Sequence, residues 1–93
     1  MNGNGDMLLG MSAFSRTMFP SAAFTLRRSG GIFDTPTIYA RGAGAYVGDS
    51  DNRWGDYSAC QPDFDNANQF WTIQEHATSA RGAWRTRWAR ITI

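Results

Sequence analysis

Hydrophobic positions recur at every second residue through much of this chain, the spacing of strands rather than helices. Met7, Leu9, Met11 and Ala13 share one face of an extended segment, with Leu8, Gly10, Ser12 and Phe14 on the other. A strand buried at least on its odd face is expected there. Ser15 to Ser21, with Pro20 near its end, reads as a loop, and Ala22, Phe24 and Leu26 then line the even face of a second strand ending at Arg27 and Arg28. The pair forms a hairpin with a long connection. Ser29, Gly30 and Gly31 break the pattern, and Asp34 to Asp51 carries Pro36, several Gly and scattered Tyr, with one short strand near Thr37 to Arg41. A connection this long is usually functional or a crossover between structural units.

The second half is more regular. Tyr57 to Gln61, Phe70 to Ala77 and Trp84 to Ile93 are aromatic or β-branched runs, separated by turns at Asp63, Asp65 and Asn66 and at Ser79 to Gly82. Strand starts about 13 residues apart suit an up-and-down meander. A helix would need apolar residues at i, i+3, i+4 and i+7, and in the last run only Trp84, Trp88 and Ile91 fit that spacing. The fold class is therefore all-β, an antiparallel meander. It divides into a strand hairpin over 1–33, a long connecting loop over 34–56 and a three-stranded meander over 57–93.

Composition narrows this picture. Hydrophobic content of 42% and aromatic content of 14% oppose intrinsic disorder, and ten Gly favour many turns. A chain of 93 residues buries only about 60 to 65% of its unfolded surface, so one modest core is available. Cys60 is the single cysteine, and no intrachain disulfide compensates. Nine basic residues, all Arg, against eight acidic leave a net charge of +1, far from the excess that drives nucleic-acid binding. No apolar run reaches the roughly 18 residues of a membrane span. A free-standing meander would expose two edges, and these strands carry few Pro and no Lys to protect them. Something else should cover them: the chain is expected to be part of a larger closed sheet structure, with a boundary just before Met1, or else to self-associate.

Several motifs sharpen that expectation. Asn52-Arg53-Trp54-Gly55-Asp56-Tyr57-Ser58, then Pro62-Asp63, then Phe70-Trp71-Thr72-Ile73-Gln74-Glu75, resembles the C-terminal region of bacterial secreted or surface β-propeller proteins of the sialidase-like, BNR-repeat type. Gly5-Asp6-Met7-Leu8-Leu9-Gly10-Met11-Ser12 and Ser21-Ala22-Ala23-Phe24 are similar to two further strands of that family, so nearly the whole chain is covered. His76 replaces the usual aromatic after Gln-Glu, the turn order is altered at Pro62-Asp63, and Cys60 stands where a small or β-branched residue is usual. The resemblance implies that the chain forms the last one or two blades of a propeller, extracellular or at the cell surface in the parent family. No Asp-box of the S-x-D-x-G-x-T-W kind occurs, and the family's catalytic residues cannot be placed here. The expected function is a structural blade, not catalytic on its own and needing no cofactor, whose partners are the remaining blades. The alternative is a glycan-binding or glycoside-hydrolase site.

Candidate binding residues for that alternative are Arg53, Trp54, Asp56, Tyr57 and Glu75. A loop displaying Arg, Trp, Asp and Tyr can stack on a sugar ring and hydrogen-bond its hydroxyls, and it can equally be a blade-entry turn in which Gly55 permits a tight backbone and Trp54 fills the space between blades. Glu75, the only Glu, shares its strand face with Trp71 and Ile73, where an unpaired carboxylate is costly to bury. Arg53 is its natural partner in a structural ion pair, and exposure to a propeller's central channel is the functional reading. Asp49, Asp51 and Asn52, and separately Asp63, Asp65 and Asn66, alternate oxygen ligands as a calcium loop does, but both lack the Gly and Glu of such a loop. Asx turns account for them without metal. His76 has no second His or Cys at ligand spacing, and with Cys60 it lacks the orienting third group of a nucleophile-base pair. Trp84 to Arg90 interleaves aromatics with Arg, which as a strand puts Trp84, Thr86 and Trp88 on one face and Arg85 and Arg87 on the other, an ordinary half-buried strand.

Overall fold

A computed structural model of the chain describes residues 1–47, 54–55 and 57–93. Among these residues there are six strands and no helix: β1 (Met7–Ser15), β2 (Met18–Arg27), β3 (Thr37–Ala40), β4 (Ala59–Pro62), β5 (Gln69–Ala77) and β6 (Trp84–Thr92). They make two three-stranded antiparallel sheets, ordered β1-β2-β3 and β4-β5-β6. The short segment after Pro36 joins the first sheet as its third strand.

The first hairpin is tighter than its composition suggests. β1 and β2 are joined at Arg16 and Thr17, and Ser15 pairs with Met18, where a loop through Ser21 was expected. Pro20 is tolerated because the register slips beside it: Ala13 pairs with Ser21 and Ser15 with Met18, leaving Phe19 and Pro20 opposite Phe14 alone. A bulge is one of the few sheet positions that does not need the missing amide. The other end is tied by Asp6, which accepts from Asn2 Nδ2 at 3.0 Å and from the Ser29 amide at 2.9 Å, pinning the entry of β1 to the exit of β2.

The sheets meet through even-numbered faces, again contrary to the odd-face expectation for β1. Leu8 is buried and Leu9 is 45% exposed. Both faces of β1 are apolar, so alternation alone does not choose between them; Gly10 does. A Cβ on Gly10 would clash with Gln74 Nε2 and lie 2.6 Å from Thr72 Oγ1, so a larger residue would force these buried side chains aside for β1 to approach β5 this closely. Among the described residues the buried apolar ones are few and mostly small: Leu8, Ala22, Ala23, Ala40, Phe70 and Ala77. Polar groups fill much of the rest. Ser58 Oγ donates to Gln74 Oε1 (2.7 Å), Gln74 Nε2 to Thr72 Oγ1 (3.0 Å) and Thr72 Oγ1 to the Ala59 carbonyl (3.0 Å). Buried polar groups of this kind must be fully bonded to be tolerated.

The core is also small for the length of chain. The radius of gyration is 14.3 Å with extents of 43 × 24 × 19 Å, against about 12 Å for a compact domain of this length. The first sheet lies over β4 and β5 and reaches β6 through the Tyr39 hydroxyl, which donates to the Arg87 carbonyl at 2.9 Å. β6 is accordingly exposed along most of its length, not half-buried: Trp84 is 41% and Trp88 62% exposed.

Candidate functional site

The loop entering β4 is held by one buried side chain. Glu75 lies on β5 with its carboxylate turned to the outer face of the second sheet, and is only 4% exposed. It is covered by the loop it binds: the Gly55 amide donates to Oε2 at 3.2 Å and the Tyr57 amide to Oε1 at 2.8 Å. Gly55 adopts φ of +96°, a conformation that side-chain-bearing residues rarely take, and this turn delivers both amides to one carboxylate. Backbone donors thus answer the need for a partner that the sequence raises. The expected ion pair with Arg53 involves a residue outside the described ones, as does the role assigned to Asp56.

The two aromatic residues of the motif diverge. Trp54 turns to the first sheet, donating its indole N–H to Ser12 Oγ at 2.8 Å and meeting Tyr46 edge-on at a centroid distance of 5.0 Å. Together with Phe14 and Pro20 these rings border a cleft of about 170 Å³. Tyr57 turns the other way and stacks on Trp84, with centroids 5.3 Å apart and planes 26° from parallel. Both rings stay exposed, Tyr57 by 57%. Trp88, four residues further along the same face of β6, extends this into an aromatic shelf that flanks Thr86, the cross-strand partner of Glu75. Sequence patterning places Trp84 on the same face as Trp88 but gives no sign that Trp84 stays 41% exposed even under the Tyr57 ring.

The acidic turn after β4 is an Asx turn. Asp63 Oδ1 accepts from the Asp65 and Asn66 amides at 2.8 and 3.2 Å, and Oδ2 accepts from the Trp71 indole at 2.7 Å. These bonds to the ionised form, the Trp71 bond foremost, hold the Asp63 carboxyl below its ordinary range. Asp49, Asp51 and Asn52 lie outside the described residues. Cys60 is exposed on β4 with its sulfur 3.5 Å from the Leu8 carbonyl, and desolvation of the thiol raises its pKa.

No protein-family model matches the chain, and no curated protein or solved structure matches it.

Proposed function

We propose that this chain is a structural unit of a larger β-sheet assembly, blades of an extracellular sialidase-like β-propeller, and is not catalytic on its own. The observation that carries this reading is the uncovered outer strand, where Trp84 and Trp88 stand exposed on β6 while the buried apolar core contains little beyond Leu8, Phe70 and alanines. Large aromatic surface is rarely left in water on one face of a strand unless a partner covers it. Two antiparallel sheets packed face to face suit neighbouring blades, and each is one strand short of the four a blade contains. Glu75 and the Gly55 turn then brace the junction between the sheets. The resemblance of the Arg53 to Ser58 stretch to propeller C-termini supports the same assignment.

A second reading rests on the Tyr57–Trp84 stack. Two parallel exposed rings with Trp88 beside them form a surface on which a pyranose can stack, with the Glu75 latch fixing Tyr57 in place. The double variant Trp84→Ser/Trp88→Ser separates the two. The structural reading expects it to raise solubility and reduce association while far-ultraviolet circular dichroism is unchanged. Loss of binding on a glycan array with association unchanged would reject the structural reading in favour of the second.

A further inference from the structure

A cleft of about 300 Å³ opens where the segment following β3 crosses the end of β5 and the β5–β6 turn. Arg41, His76, Arg85, Thr78 and Ser79 supply its polar lining, and among the described residues none that lines it is acidic. The first sheet contributes Arg41 and the second His76 and Arg85, which face each other as cross-strand partners.

The frame around these groups is fixed by backbone contacts. Ala40, preceding Arg41, pairs with Ala22, and Gly42, following it, donates its amide to Ser21 Oγ at 2.8 Å. A Cβ on Gly42 would clash with the Pro20 carbonyl oxygen, and one on Gly44 would lie 2.5 Å from that of Thr78, so the segment is pressed against both sheets. The Ala43 amide donates to the Ala77 carbonyl at 3.0 Å and the Gly82 amide to the Ala45 carbonyl at 3.4 Å. The turn itself closes through the Thr78 amide and the Ala83 carbonyl at 3.1 Å. Arg41 is thus an exposed residue on an anchored backbone, lining a cleft that Arg85 of the second sheet also lines.

Two permanently charged guanidiniums lining one cleft give it a positive potential that a bound anion would offset. Their planar forks match the oxygens of a carboxylate, phosphate or sulfate, and the Thr78 and Ser79 hydroxyls and the His76 ring can add hydrogen bonds. The volume is at the lower end for small-molecule sites, larger than a bare ion requires. We propose that the cleft between Arg41, His76 and Arg85 binds a small organic oxyanion carrying a carboxylate, phosphate or sulfate group. His76 and Arg85 lie on the opposite face of β5 and β6 from Glu75 and Trp84, and the site stands whether or not the chain is a propeller blade.

Equilibrium dialysis of the full chain against labelled inorganic phosphate at constant chloride tests this, with acetate and sulfate as competitors to tell which oxyanion is preferred. Saturable binding at one site per chain is expected, weakened at least about tenfold in Arg41→Ala and in Arg85→Ala, the loss for a hydrogen bond to a charged group. Arg41→Lys, which keeps the charge and loses the fork, should fall between, and Arg16→Ala in the β1–β2 turn should bind as the parent does. Thermal melts confirm that each variant is folded; Arg85, exposed on an edge strand, carries the test if Arg41→Ala does not fold. Unsaturable binding, or an equal loss in Arg16→Ala, would overturn the proposal by showing diffuse charge attraction only.

Discussion

Replacing Glu75 by Gln keeps the size of the side chain but removes one of the two acceptors that hold the loop. In the parent chain both carboxylate oxygens receive backbone amides, Gly55 at 3.2 Å and Tyr57 at 2.8 Å. Glutamine can keep one of these bonds through its carbonyl oxygen, and must then present an amide N–H to the other N–H. Because residue 75 is only 4% exposed, water is poorly placed to take over. A hydrogen bond to a charged group contributes about 1.5–3 kcal/mol, and one such bond is lost. A destabilisation of about 1.5–3 kcal/mol is expected, lowering Tm by roughly 10 °C for a domain of this size. Urea denaturation gives the magnitude. Hydrogen exchange gives the mechanism, since the Gly55 or Tyr57 amide should lose protection while those within β5 and β6 keep theirs. A variant within about 0.5 kcal/mol of the parent, the ordinary range for surface changes, with Tyr57 equally protected, would refute the latch.

Three further outcomes follow from the same contacts. Gly10→Ala should destabilise by about 1–3 kcal/mol through overpacking against Gln74 and Thr72, measurable by urea denaturation, and Gln74→Ala in the same chain should relieve part of the clash. Asp63 has a folded pKa below its unfolded value, so its contribution is fully present above the unfolded pKa of about 3.9 and is lost as pH falls through the folded one. The stability gap between the parent and Asp63→Asn should therefore be level above about pH 5 and close below about pH 4; a gap that persists unchanged into acid would contradict this. Cys60, its pKa raised by desolvation, should alkylate slowly with iodoacetamide at neutral pH, with a rate still climbing above about pH 8.5, the ordinary thiol value; a plateau below that would count against partial desolvation of its thiol.

Strand identity was legible in the sequence where runs were long and aromatic or β-branched: β5 and β6 fall within a residue of their expected limits because nothing in Phe70 to Ala77 or Trp84 to Ile93 competes with an extended backbone. What failed were choices that patterning leaves open. Leu8 and Leu9 are equally apolar, and only the contact of Gly10 with Gln74 decides which is buried. Pro20 looked like a loop marker because a bulge partner cannot be seen without the register. At the candidate site, the need of Glu75 for a partner followed from its position among Trp71 and Ile73. Its identity as two loop amides did not, since every residue carries an amide and sequence gives no sign of which ones converge. The exposure of Trp84 and Trp88 was hidden for a related reason: alternation fixes the face on which a side chain lies, and says nothing about whether another layer covers that face.

Sedimentation equilibrium of the purified chain over a broad concentration range tests the central claim, that these two sheets are a unit whose outer surface requires a partner. Concentration-dependent association, reduced in the Trp84→Ser/Trp88→Ser variant, is the expected result. A monodisperse monomer at all concentrations, melting in one sharp two-state transition, would contradict it.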